Sequence, residues 1–353
     1  GTGDGQRVAT AMSPADFVTE LSTGGQLRSI HAYIIDDIQM KETARLTIDN
    51  GDDVVLSSLD PADTNAILVD LYAFITVHTA STLALHNITI DGSNIESSSP
   101  LSMVYGTLIL DDKATLQNRI NIEGPGGVGV MDYGTLIMNE GSVITNCTGG
   151  AGGGVGLNSS TSESPANFDM YGGTISSCAA GNGGALSVYG YANATLSGGT
   201  IDSCTADSYG GGVNVNGDYY QATLTLSGVT LQNCEASSGG GVYAYNNSAM
   251  SIQDTTVIDT CTATTAGGGI YLESQGYPVE LNMSGGTITN CSSENGGGIN
   301  AFGSVVITMS GGTIDSCNAT YNGGGFYLEG SASLTFESYS SPLITGGPGT
   351  TPT

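Results

Sequence analysis

From residue 141 to residue 336, apolar and polar residues alternate in short runs, and the same three runs recur along the chain. After each glycine cluster the apolar members are Val213/Val215, Val242/Ala244, Ile270/Leu272, Ile299/Ala301 and Phe326/Leu328. A second run carries Leu224/Leu226, Met250/Ile252, Leu281/Met283, Ile307/Met309 and Leu334/Phe336. The third centres on Ile144, Ile175, Ile201, Leu231, Ile258, Ile288 and Ile314, each three residues ahead of a cysteine. A period of two over four or five residues, bounded by glycine turns, is the pattern of a half-buried strand. Three such strands per repeat, each turning alternate residues inward, predict an all-β chain wound as a parallel β-helix.

The cysteines supply the ruler. Cys147, Cys178, Cys204, Cys234, Cys261, Cys291 and Cys317 are spaced 31, 26, 30, 27, 30 and 26 residues apart, and a period of 20–50 residues marks a solenoid. From each cysteine to the third small residue of the next glycine cluster is always 7 or 8 positions, whereas the remainder varies from 19 to 24. Insertions such as SSTSESPANF, VNGDYYQA and SQGYP are therefore expected at one corner. Stacked turns bring like residues above like at about 4.7–4.9 Å, forming ladders.

Residues 1–140 are less regular and read as a cap followed by early coils. SPADFVTEL (13–21) has Ser, Pro and Asp placed to start a short helix, with Phe17, Val18 and Leu21 over the open core. Residues 141–336 form the regular repeats, and 337–353, rich in Pro, Gly and Thr, read as a tail or linker. The expectation is one continuous right-handed parallel β-helix of about a dozen coils with a short N-terminal capping helix. No strong helical cap is expected after residue 336, which would leave an open end for head-to-tail stacking.

The alternation of GG-[AG]-[ILV] with an I-x-x-N-like step resembles the repeats of polymorphic outer-membrane proteins and adhesin-like right-handed β-helix proteins. The resemblance covers about residues 141–336, in seven copies. One departure is that I-x-x-C stands where that family usually has F-x-x-N. The resemblance implies a secreted or surface-displayed passenger, often adhesive. The outer-membrane barrel that such passengers carry has no counterpart in this sequence.

Charge narrows the function classes. The chain has 353 residues and a net charge of −27, yet only 11% of its residues are charged and 39% are hydrophobic, enough to build a core. All six Lys and Arg and all three His lie in the first 119 positions. Phosphate neutralisation needs Lys or Arg, so nucleic-acid binding is disfavoured, as is recognition of anionic polysaccharides. No apolar run reaches the 18–20 residues of a membrane span. A chain starting at Gly1 without Met reads as a processed or excised piece. An acidic, lysine-poor chain rich in Ser, Thr, Asn and Gly reads as extracellular or cell-surface.

Several residue sets are candidates for chemistry. The cysteines read as a core ladder of small inert thiols; disulfides between neighbouring coils are an alternative. Metal binding is disfavoured, because no His accompanies them and no C-x-x-C occurs. Asp202, Asp259 and Asp315 recur in alternate coils, roughly 9–10 Å apart two coils on, at the upper edge for an inverting glycosidase. No Lys, Arg or His stands beside them, and solvated turn acids are the simpler reading. Outward strand positions carry Tyr189, Tyr243, Tyr245, Tyr271, Phe302 and Tyr327, a stripe suited to stacking on sugars or on another chain, although tyrosine's strand preference explains it equally well. Asn-x-Ser/Thr sequons occur at Asn87, Asn146, Asn158, Asn193, Asn246, Asn282, Asn290 and Asn318; Asn158, Asn193, Asn246 and Asn282 are the better-placed glycan acceptors. A threonine ladder (Thr174, Thr200, Thr230, Thr287, Thr313) raises an ice-binding face, but Val257 interrupts it. Taken together, the expectation is a non-catalytic structural or adhesive surface protein without cofactors. Its expected contacts are itself, head-to-tail or laterally, or cell-surface glycans and proteins; a polysaccharide-active hydrolase or lyase is the alternative.

Overall fold

The computed structural model describes residues 29–34, 36–40, 45–49, 51–58, 65–69, 75–337 and 342–346. These residues form strands and turns only, wound into a parallel β-solenoid of about eleven turns. The capping helix expected over residues 13–21 lies outside the described residues.

Each turn passes through three sheets. The first sheet runs from Ser29–Ile34 to Ser333–Phe336 in twelve strands, and the third from Leu46–Ile48 to Phe326–Glu329 in eleven. Between them lies a second sheet built from the Ile-x-x-Cys segments. All pairings are parallel, and those of the first and third sheets are in register, so Leu224 stacks on Ala194 and under Met250, and Val215 on Val188 and under Ala244. The second sheet shifts register beyond the bend. The inward members form one unbroken core from Ile34 to Cys317. The variable insertions fall where the chain crosses from the third sheet to the first, as between Val213–Asn216 and Ala222–Ser227.

The second sheet holds the bend that shapes the cross-section. The residue before every cysteine is left-handed: Asn146, Ser177, Ser203, Asn233, Thr260, Asn290 and Ser316 have φ between 51° and 54°. In a flat strand, residues three apart point to opposite faces. One left-handed residue breaks that alternation, so the isoleucine and the cysteine three positions later both face the core. The chain then resumes as a strand, for example Thr205–Tyr209, Glu235–Ser238 and Thr262–Ala266. These strands were not expected from the sequence, because their alanines, serines and threonines carry no strong apolar alternation.

The resumed strands lean towards the outer face of the third sheet, leaving a concave angle between the two. Asn300 donates its side-chain amide to the Asn295 carbonyl across it at 3.3 Å. Glycine makes the approach possible. At Gly267, with φ +63°, a Cβ would stand 2.3 Å from the Ile270 carbonyl oxygen and 2.7 Å from the Cβ of Tyr271.

From Cys204 onward successive turns alternate in chemistry. Turns with Asp-Ser-Cys or Asp-Thr-Cys alternate with Gln-Asn-Cys or Thr-Asn-Cys, and the Asp of one turn accepts a hydrogen bond from the left-handed Asn of the next. The pairs are Asn233 to Asp202 and Asn290 to Asp259, both at 2.8 Å. Asp91 receives Gln117 and Asn118 in the same way. The structural repeat is thus two turns long at this corner.

The C-terminal segment differs from expectation. Within 337–353, Leu343–Gly346 forms a strand that pairs parallel with Thr313–Asn322, placing Ile344 opposite Ile314. Ile344 continues the isoleucine column and Thr345 hydrogen-bonds Asp315, but a single copy beyond the last cysteine leaves no periodic signal to read.

Two substitutions test this account. Gly267→Ala is expected to lower unfolding free energy by about 2 kcal/mol or more, since it adds left-handed strain to a backbone clash. Thr260→Asn should raise it by about 1 kcal/mol, because a β-branched residue is strained in the left-handed region that asparagine tolerates. Equilibrium denaturation of the full chain reads both.

Candidate functional site

All seven cysteines are buried and free. Each thiol donates to the carbonyl two residues earlier, at 3.2–3.5 Å, as from Cys204 to Asp202 and from Cys291 to Thr289. Most also approach the carbonyl of the apolar residue one turn below, such as Cys317 to Ile288 at 3.7 Å. The thiol therefore serves the carbonyls that the bend turns inward. Arg119, fully buried, follows the left-handed Asn118 and holds the cysteine position of its own turn, beneath Cys147. Hydrogen bonds to neighbouring thiols, then burial, push Cys178 and Cys234 well above the ordinary thiol range. At the ends of the ladder Cys147 and Cys317 each receive a hydrogen bond from the adjacent thiol and are lowered. Among the described residues, no group of three or more His, Cys, Asp or Glu converges to hold a metal ion.

The aspartates are not brought together. Asp202, Gln232, Asp259, Thr289 and Asp315 share one column. Asp202 and Asp259 are engaged by the asparagines of the next turn, and Asp315 by Thr345. The threonine ladder occupies the neighbouring column, interrupted by Val257 as read from the sequence.

The aromatic stripe lies in the concave angle, and here the sequence reading needs correcting. Tyr243 was expected to face solvent but is only 4% exposed. It is covered by Tyr209 from the resumed strand, whose ring stacks on it at 4.4 Å. Tyr245 and Tyr271 lie against it at 6.2 and 5.5 Å. Its hydroxyl donates to Glu273 at 2.7 Å, and Gln275 donates to the other carboxylate oxygen. Glu273, 9% exposed, sits in register between Tyr245 and Phe302, with Glu329 one turn further. Burial first, and then the Glu273 charge, raise the phenols of Tyr243, Tyr245 and Tyr271. Tyr189 and Phe302 are exposed and Tyr327 is half-buried. Sequence reading placed the stripe but not Tyr209 or Glu273 as its floor and wall. Tyr209 belongs to a strand that left no pattern, and Glu273 occupies an outward position of the alternation, which says nothing of what covers it.

The sequons divide by burial. Asn146, Asn158, Asn282, Asn290 and Asn318 are exposed and Asn193 is half-buried, whereas Asn87 and Asn246 are buried. Asn246, expected among the better acceptors, instead receives the backbone amide of Gln275 at 2.7 Å and anchors the insertion loop.

One arrangement gave no signal in the sequence. His31 Nε2 and Ser57 Oγ lie 3.0 Å apart, the Tyr33 ring stacks on His31, and its hydroxyl is 3.5 Å from Nδ1. A nucleophile–base pair has this spacing. Its third member is a distant phenol rather than a carboxylate, and Ser57 is 3% exposed.

With this geometry in view, the family model described as a right handed beta helix region matches residues 211–341. No curated protein matches the chain, and no solved structure does. The match and the parallel solenoid together make the chain a right-handed parallel β-helix repeat protein. Among the described residues no helix is long and apolar enough to cross a membrane.

The buried thiols and phenols set an alkaline limit. The lowered Cys147 and Cys317 add stability as pH rises, but they are outnumbered by the raised thiols of Cys178, Cys234, Cys261 and Cys291. The effect of the raised thiols is absent while the unfolded chain keeps its thiols protonated, below about pH 8.5. Above it the unfolded chain ionises its thiols, and near pH 10 its phenols, while Cys178, Cys234, Tyr243 and Tyr271 stay neutral in the fold. Melting temperature is therefore expected to fall as pH rises from 8.5 to 11. A flat profile over that range would contradict this account of the ladder.

Proposed function

We propose that the chain is a non-catalytic, extracellular structural or adhesive surface protein whose contact surface is the concave angle lined by tyrosines. The observation that carries the reading is the division of labour between acids and aromatics. The recurrent aspartates are held by hydrogen bonds from the next turn, while the rings of Tyr209, Tyr245, Tyr271 and Phe302 remain partly open. Partly exposed rings with polar tips suit recognition of another surface. The resemblance to adhesin-like β-helix repeats points the same way, as do the exposed sequons for a host that glycosylates. Self-association, head-to-tail or lateral, is the other contact this reading allows.

A polysaccharide-active enzyme is the second reading, and the same angle favours it. Glu273 and Glu329 stand two turns apart in one column, roughly 9–10 Å, at the upper edge of the separation used by inverting glycosidases.

Incubation with a panel of neutral polysaccharides separates the two. The expected result is retention of labelled glycan or intact cells on the protein, weakened at least several-fold by Tyr245→Ala, with no new reducing ends or unsaturated products. Turnover that disappears in Glu273→Gln, Asp202→Asn or Asp259→Asn would establish the enzyme instead.

A further inference from the structure

Glu273 presents an electrostatic problem that the chain does not solve internally. Its carboxylate is nine-tenths buried, and its hydrogen bonds come from a phenol and an amide, both neutral. No Lys, Arg or His occurs anywhere from residue 120 onward. Burying a carboxylate without a positive partner is costly, so the missing charge is one that a ligand can bring.

The surroundings specify that ligand's chemistry. Tyr245 lies one turn to one side of Glu273 and Phe302 one turn to the other, on the same outward column. One turn is about 4.8 Å, so a cation seated on Glu273 falls within about 6 Å of a ring on either side, the reach of a cation–π contact. Phe302 is 38% exposed and Tyr209 40%, so rings beside the buried acid are reachable from solvent. An ionised carboxylate has about four acceptor positions, and the two hydrogen bonds it receives leave room for a two-pronged donor. A flat cation that stacks on rings and donates in a fork is a guanidinium.

We propose that the concave angle at Glu273 binds an arginine side chain of a partner polypeptide, held between Tyr245 and Phe302. This rests on the adhesive reading and names the chemistry of its partner. The charge of −27 and the absence of cations across two-thirds of the chain make that surface complementary to a basic partner and repulsive to an acidic one.

The test uses the full chain and fluorescently labelled pentapeptides, Gly-Arg-Gly-Arg-Gly and its citrulline and lysine counterparts, read by anisotropy. Citrulline keeps the shape of arginine and removes the charge. The arginine peptide should bind at least tenfold more tightly than the citrulline peptide and several-fold more tightly than the lysine peptide. Glu273→Gln should weaken arginine binding about tenfold, and Phe302→Ala, at a surface ring that the fold does not need, about threefold. Asp259→Asn removes the same charge at the opposite corner and should leave binding unchanged. Three results would each overturn the inference: equal binding of arginine and citrulline, equal binding of arginine and lysine, or losses in Asp259→Asn as large as in Glu273→Gln, which would mean diffuse attraction to an acidic surface. If these peptides fail while labelled glycan or cells are still retained, this inference falls and the adhesive reading stands.

Discussion

One backbone torsion organises the cross-section of this solenoid. Ahead of every cysteine a single residue sits near φ +50°, and at that point the strand changes direction without leaving the sheet. The bend sends two side chains, three residues apart, into the same core and turns a carbonyl inward with them. That carbonyl accepts the amide of the left-handed residue in the preceding turn, as from Ser177 to Asp202 and from Asn233 to Asp259. The cysteine thiol adds a weak second donor while filling the volume of a small apolar side chain. The repeated cysteine is thus explained by position: it is the small inward residue that can also donate at a left-handed corner.

The same torsion creates the concave angle. Because the chain resumes as a strand after the bend, it runs out beside the third sheet rather than turning directly into it. Glycines at the far end of that strand then allow the backbone to come within van der Waals distance of Tyr243 and Tyr271. The angle, its aromatic lining and the burial of Glu273 all follow from a corner whose own residues touch none of them. Length variation sits at a different corner, so loops can change without disturbing the bend, and one loop, through Asn246 and Gln275, reaches back to the carboxylate.

The inward columns were legible because their signal is redundant. Six copies of Ile-x-x-Cys, one of Leu-x-x-Cys and five copies of each alternating pair repeat the same periodicity, and the register of the first and third sheets follows from it directly. Three features escaped because each depends on what lies across space. Thr205–Tyr209 and its equivalents are strands by virtue of their neighbours in the stack, since their composition is small and polar. Tyr243 is outward in the alternation yet buried, because alternation reports the face of a strand and says nothing of what covers that face. Leu343–Gly346 joins the stack through its pairing with the turn before it and the bond from Thr345 to Asp315. The pairing of Asp202 with Asn233 was present in the sequence as an alternation of Asp-Ser-Cys with Gln-Asn-Cys, and it needed the stacking register to become a contact.

Charge distribution then separates the structural acids from the one that stands apart. In a chain without cations beyond residue 119, no acid in the regular repeats can be neutralised by a salt bridge from its own turn or the next. Asp202 and Asp259 meet this by remaining at the surface, where water and ions screen them, and by accepting amide hydrogen bonds that need no charge. Glu273 does neither completely: it is withdrawn from solvent, its donors are neutral, and its charge is felt by three tyrosines around it. Asn216 and Phe302 hold the same column in other turns, so the stack itself asks only for an acceptor for the buried Tyr243 hydroxyl at that point, which need not be charged. The acid is therefore best understood through what approaches the angle from outside, and the rings on either side define the shape of that approach.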